Sequence, residues 1–315
     1  MHAAKSAGKC TAVLENRHRA CYNEPMITLN QYCRQQFGEK LYKLTLNGGM
    51  TCPNRDGTLD TRGCIFCSAG GSGEFAPPPS LDMDAQIEAA KARVAQKYRG
   101  SRYIAYFQAY TNTYATVDRL EELFLPVIQR DDIAALSIAT RPDCLGPEIL
   151  RLLARLRRIK PVWVELGLQT MHDSTARYIR RGFPTEVYDE AVRALNALDI
   201  HTVTHVILGL PGESRQDMLD TVRHVGEAGS RGIKLQLLQV LRGTDLADEY
   251  AAGKFSVMEM DEYIALLKDC IGLLPPDTVV HRLTGDGPKK LLIAPVWCAD
   301  KKRVLNALHK EGLGL

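Results

Sequence analysis

The sequence points to an α/β fold, an incomplete TIM-like (β/α)6 barrel with a C-terminal cap. Three observations support that expectation. The chain has 315 residues and 45% hydrophobic content, enough for one large core, and α/β barrels reach this size as a single domain. From Leu41 onward, short β-branched or aromatic runs alternate with longer stretches of helical period, as in parallel strands joined by crossover helices. The cysteine and polar motifs fall just after the expected strands, at the carboxyl ends where such barrels gather reactive groups.

Residues 1 to about 25 mix small, charged and polar types without a sustained period and are expected to form a loosely ordered extension. The barrel is expected over 26–274. Its strands lie near 41–47, 102–108, 134–139, 162–168, 203–208 and 233–240. Helices fill the gaps near 82–98, 118–129, 146–158, 186–198, 214–228 and 259–273. Each is long enough for a right-handed crossover; a flat doubly wound sheet is the alternative. The segment 69–80, AGGSGEFAPPPS, reads as a loop. Gly209-Leu210-Pro211-Gly212 reads as a tight strand-to-helix turn or an adenine contact, with Ser214 the natural N-cap of the helix that follows. After Leu274 come Pro275-Pro276, a short strand near 278–283, the run HRLTGDGPKK and a last helix near 300–310. This stretch, 275–315, is expected to cap the barrel.

Composition narrows the function classes. No apolar run reaches the roughly 18–20 residues of a membrane helix, and the N-terminus lacks the charged-then-apolar pattern of a secretory signal. The expectation is a cytoplasmic protein without membrane partners. A formal net charge of +3 and a pI near 8.3 fall short of a dedicated nucleic-acid-binding domain, although a local basic surface can still hold phosphates. Nine cysteines in such a chain fit free thiols and metal ligation better than disulfides.

The first strand runs into Asn47-Gly48-Gly49, and the loop after it carries Cys52, then Cys64-Ile65-Phe66-Cys67. Three thiolates in one loop suit three corners of a four-iron four-sulfur cubane and leave the fourth iron open. A zinc knuckle is the alternative, since C-x2-C is also a zinc half-site. Structural zinc takes four protein ligands, and neither a fourth Cys nor a His lies between Asn47 and Pro79. Cys10, Cys21, Cys33, Cys144, Cys270 and Cys298 lack such spacing and read as ordinary small apolar residues.

The loop TCPNRDGTLDTRGCIFCS resembles the cluster loop of radical S-adenosylmethionine (SAM) proteins, with Phe66 in the aromatic position beside the adenine. ATRPD at 139–143, VELGLQT at 164–170, RRGF at 180–183, THVILGLPGES at 204–214 and VLRGTDL at 240–246 follow in the order seen in the catalytic subunit of Elongator. With HRLTGDGP and LLIAPVW near the C-terminus, the pattern is most similar to short bacterial radical SAM proteins allied to that subunit, without its acetyltransferase domain. The resemblance implies a barrel of the radical SAM type, a [4Fe–4S] cluster on Cys52, Cys64 and Cys67, and SAM as the second cofactor. It further implies SAM contacts from Phe66, Asn112, Thr113, Gln169, Arg181 and His205. Two positions depart from the family pattern: Thr111-Asn112 stands where relatives carry a glycine pair, and Ala139 where they carry an acidic residue.

The implied activity is reductive cleavage of SAM to a 5′-deoxyadenosyl radical, used on the side chain at carbon 5 of the wobble uridine in tRNA. A flavodoxin or ferredoxin would supply the electron. Porphyrin-type oxidation of a small molecule and a non-catalytic zinc-binding protein remain as alternatives. Arg141, Asp143, Lys234, Gln236 and Arg242 are polar residues in or just after expected buried strands, where unpaired polarity is costly. Glu165 and Gln169 share a strand face with Gly167. Lys234, Arg242 and Asp286 are expected to face the substrate and take part in catalysis. Lys289, Lys290, Lys301, Lys302 and Arg303 form a basic group beside the cap that suits phosphate contact.

Overall fold

The computed structural model describes residues 26–285 and 287–314; the expected N-terminal extension and Asp286 lie outside the described residues. The described chain opens with β1 (Ile27–Thr28) and α1 (Leu29–Phe37). Thr28 caps α1: its hydroxyl accepts the Gln31 N–H at 3.2 Å, and its own N–H donates to Gln31 Oε1 at 2.7 Å, a reciprocal capping box.

Strands and helices then alternate through β2 (Tyr42–Leu46), α2 (Met83–Val94), β3 (Tyr103–Phe107), α3 (Val117–Gln129), β4 (Ile133–Thr140), α4 (Pro147–Arg157) and β5 (Val162–Gln169). They continue through α5 (Asp173–Tyr178), α6 (Thr185–Ala197), β6 (His201–Leu208), α7 (Arg215–Glu227) and β7 (Gly232–Leu237). The last elements are β8 (Val240–Leu241), α8 (Asp245–Ala251), α9 (Met260–Leu273), β9 (Val279–Arg282), β10 (Leu292–Ala294) and α10 (Lys301–Lys310). Ser214 caps α7 as its chemistry requires, with its hydroxyl accepting the Asp217 N–H at 3.2 Å.

Eight of these strands form one parallel sheet in the order β1-β9-β7-β6-β5-β4-β3-β2. β1 and β2 are its free edges, so the sheet is an open, curled half-barrel. All eight residues of β4 are buried, as expected of a parallel strand covered on both faces. The strand near 278–283, expected in the cap, is β9 and belongs to the main sheet. Val280 pairs with Ile233 and Arg282 with Lys234. With Val279 and Val280 both buried, β9 gains far more by pairing with the free edge of β7 than it would on the surface. What remains as a cap is β10, paired antiparallel with β8, and α10, whose Val304 and Leu308 join the main core.

The amino-terminal end of the half-barrel is closed by α1. Cys33 packs with Ile104, Ala135 and Trp163, and Tyr32 and Phe37 lie against the same cluster. The Tyr32 ring sits 5.9 Å from that of Trp163 and 5.1 Å from that of His201. The carboxyl end stays open, and the candidate site is there. No helix of the described residues is long and apolar enough to cross a membrane.

Candidate active site

The thiol loop is fixed to the barrel mouth by its own backbone. The Ile65 N–H donates to Ile179 O at 3.3 Å, and the Leu246 N–H donates to Ile65 O at 2.9 Å. Asn54 Nδ2 reaches Arg180 O at 2.7 Å and Cys64 Sγ at 3.4 Å. Ile65 is buried with Ile179, Ile207, Leu210 and Leu238, and Phe66 packs against that group. Behind the thiols, Gly71 lies so flat on the end of β3 that a Cβ there would stand 2.3 Å from the Tyr110 ring; only glycine allows that approach.

Cys52, Cys64 and Cys67 are free thiols lining one cavity of about 260 Å³. Arg55 stands beside them, donating to Cys67 O at 2.9 Å and Ser68 O at 2.7 Å. Burial first, and Cys67 second, push the Cys64 thiol up to about 11, with the Asn54 N–H and Arg141 pulling the other way. Among the described residues no three His, Cys, Asp or Glu side chains converge on a point, as a single metal ion demands. Cubane ligands bind three different irons and need no common point, so this donor set fits a cluster better than zinc.

Below the thiols the lumen holds a polar layer drawn from successive strands. Glu165 on β5 is fully buried. Its Oε1 takes Lys43 Nζ at 2.5 Å and Ser137 Oγ at 2.6 Å, and its Oε2 takes His205 Nε2 at 2.7 Å and also Lys234 Nζ. Lys234 also reaches the Tyr106 hydroxyl at 3.2 Å. Burial pushes the Glu165 carboxyl up, but Lys234, Lys43 and the His205 hydrogen bond outweigh it and hold it well below the usual carboxylate range. Burial, reinforced by Lys234, pushes His205 down to about 4. The neutral ring therefore donates from Nε2 to Glu165 and accepts at Nδ1 from Gln236, 3.3 Å away.

The structure brings together most of the residues singled out from sequence. Cys52, Cys64, Cys67, Phe66, Gln169, Arg181, His205 and Lys234 all line the cavity. Gln169 sits at φ 67°, its Oε1 is buried without a partner, and its amide fills the space that Gly167 leaves, 2.8 Å from where a Cβ would be. That orphaned acceptor at the mouth suits the hydroxyl or amino group of a bound cofactor. Arg181 differs from the expectation: its donors already serve Leu168 O, Thr170 O, Phe183 O, Asp173 and Thr185, so it fixes the end of β5.

Asn112 and Thr113, unlike Arg181, do not line the cavity. Asn112 Nδ2 ties Phe107 O to Ala139 O at 3.1 and 2.9 Å, and the Thr113 hydroxyl bonds Thr140 Oγ1 at 2.5 Å and Cys144 O at 2.7 Å. Their polarity holds β3 to β4, while Tyr110 and Thr111 face the cavity instead. Arg242 is exposed and outside the cavity, because β8 turns away to pair with β10. Lys43 and Tyr106 are not among the residues singled out from sequence, and Arg282 is included only as part of the HRLTGDGP segment expected to face the substrate. The available signal was a charge or hydroxyl in the middle of an otherwise apolar strand; Arg282 was hidden by its assignment to the cap.

The family described as the Radical SAM superfamily matches residues 61–225, and the Radical_SAM C-terminal domain matches residues 230–312. Over 284 residues the chain is 45% identical to "Uncharacterized protein YtqA" of Bacillus subtilis, covering 90% of this chain and 88% of that protein. It is 24% identical over 162 residues to a tRNA uridine(34) acetyltransferase of Methanocaldococcus jannaschii, covering 50% of this chain but 29% of that protein. In fold it is similar to the archaeal Methanocaldococcus infernus Elp3 with an N-terminal deletion, at a TM-score of 0.64 and 16% identity, over 87% of this chain and 63% of that one. On the extent of these matches, the chain belongs to the radical SAM superfamily and is an enzyme whose cofactors are a [4Fe–4S] cluster and S-adenosylmethionine.

Proposed function

We propose that this enzyme acts on the carbon-5 side chain of the wobble uridine in tRNA. The observation behind this reading is the sequence likeness to an enzyme named for uridine 34 of tRNA. The cavity agrees with it in position: it lies at the strand ends and runs from the three thiols to Glu165, Lys234 and Arg282, where a base turned out of its stack can be admitted and folded RNA cannot.

In this reading Cys52, Cys64 and Cys67 ligate the cluster. When bound, the cluster and SAM supply a 5′-deoxyadenosyl radical after one electron arrives from a flavodoxin or ferredoxin. Phe66 covers the adenine, and Gln169 contacts SAM through its unpartnered oxygen. Arg181, Asn112 and Thr113 act at one remove by fixing the ends of β3, β4 and β5. The Glu165 layer presents His205 and Lys234 to the substrate below, and the hydrophobic group around Ile65 and Leu238 keeps water from the reacting carbon.

The test is anaerobic incubation of reconstituted enzyme with SAM, reductant and tRNA from a strain lacking the protein, followed by nucleoside mass spectrometry. A mass change at the wobble uridine that requires SAM supports the reading. Unchanged tRNA, with 5′-deoxyadenosine formed only when small-molecule extract is added, overturns it in favour of a small-molecule substrate.

A further inference from the structure

We propose that Arg282 and Lys234 form a subsite for a carboxylate carried by the substrate, deep in the lumen. This deepens the tRNA reading and rests on it, by requiring that the uridine side chain be an acid.

The inference comes from an imbalance of charge. Arg282, Lys234 and His205 are register partners across β9, β7 and β6, and all three line the cavity. Among the described residues the layer contains three cations, Lys43, Lys234 and Arg282, against a single carboxylate, Glu165. Both Glu165 oxygens are already engaged, by Lys43 and Ser137 on one side and by His205 and Lys234 on the other. Arg282 has no ion pair or side-chain hydrogen bond among the described residues. A guanidinium that faces a recess and pairs with no carboxylate among the described residues is unusual, because guanidinium groups so placed normally hold a carboxylate or phosphate by two parallel N–H···O bonds.

In an extruded nucleotide the base leads and its phosphates trail, so the group that would reach this depth is the tip of the base side chain. The electrostatics agree: burial, and then Lys43 and Arg282 against the pull of Glu165, destabilise the Lys234 ammonium, and an incoming anion relieves that. The methionyl carboxylate of SAM is the other possible source of an anion. The cations acting on the thiols, however, are Arg141 at Cys64 and Arg55 at Cys67, whereas Arg282 acts on Tyr106, His205 and Lys234. The two cationic groups serve different ends of the cavity.

The experiment uses reconstituted enzyme with SAM and two isosteric probes, 5-carboxymethyluridine and its amide, 5-carbamoylmethyluridine. Each is offered as the free nucleoside and at the wobble position of an anticodon stem-loop RNA, and calorimetry reads affinity. Wild type should prefer the acid by about tenfold or more, the scale of one charged hydrogen-bonded contact. Arg282→Gln should lose that preference and Arg282→Lys keep part of it. Since Arg282 holds no partner among the described residues, its replacement should not lower the melting temperature.

Equal affinity for acid and amide in both formats overturns the subsite. So does a tenfold fall in SAM affinity in Arg282→Gln with the acid preference intact, because the anion would then be that of SAM. Acid preference in the free nucleoside without any binding of the stem-loop keeps the subsite and removes tRNA as the substrate.

Discussion

Replacing Glu165 by Gln tests the lumen layer most directly. The substitution keeps shape but removes the carboxylate charge that pairs with Lys43 and Lys234, and it points amide protons at an ammonium group. Lys234 is 4% exposed in its side chain and Lys43 17%, so water compensates little for the first and only partly for the second. Removing one partner of a buried ion pair typically costs about 3–5 kcal/mol, and that is the loss expected in unfolding free energy of the metal-free protein, measured by urea denaturation at pH 7.5. Lys234→Met in the same background should recover about half, because it removes the orphaned cation. A Glu165→Gln protein within about 1 kcal/mol of wild type, or a double variant no more stable than the single, would show that these charges are not coupled as described.

The other expectations concern cofactors, architecture and pH. Cys52→Ala, Cys64→Ala and Cys67→Ala should each lose cluster iron and sulfide on anaerobic reconstitution while keeping native circular dichroism; full cluster content in any one of them removes that thiol from the ligand set. Cys270→Ala, inside α9, should retain the cluster. Gln169→Ala should weaken SAM binding by roughly tenfold, on the order of 1.5 kcal/mol, whereas Arg242→Ala should leave SAM affinity unchanged by calorimetry. Arg181→Ala should lower unfolding stability by about 2–4 kcal/mol through its orphaned carbonyls, and stability equal to wild type would return Arg181 to a direct SAM contact.

Stability should also fall in mild acid. Burial holds His205 down at about 4 and His201 at about 3. Both remain neutral when folded, and the unfolded chain takes up their protons below about pH 6.5. Their contribution is therefore complete above that pH and is lost as the pH falls from 6.5 towards 4. At pH 5 each residue withdraws about 2 kcal/mol, which the urea midpoint reports, and His205→Gln should flatten part of the slope.

The repeating units of the barrel were legible because β3 to β7 alternate with amphipathic helices at a regular spacing. The strand β9 was legible as a strand near 278–283, but its place in the sheet was not, because its pairing with β7 lies across two intervening helices and nothing local to Val279–Arg282 records it. The thiol loop was legible because three ligands share one loop. Asn112, Thr113 and Arg181 were recognisable as polar residues in a sensitive place, but sequence does not reveal whether such a group faces a cavity or a neighbouring carbonyl. Lys43 escaped notice for a related reason: one lysine in YKLTL does not reveal which face of the strand it takes, and only the curl of the sheet brings it opposite Glu165, more than a hundred residues away.

The stopper formed by Tyr32, Phe37 and Trp163 at the amino-terminal end turns the half-barrel into a well. A well is emptied and filled from its upper part alone, and here the cluster loop is laid across the rim. Nothing therefore reaches the Glu165 layer through the floor, and α1, which touches no reactant, directs traffic to the end where the thiols stand.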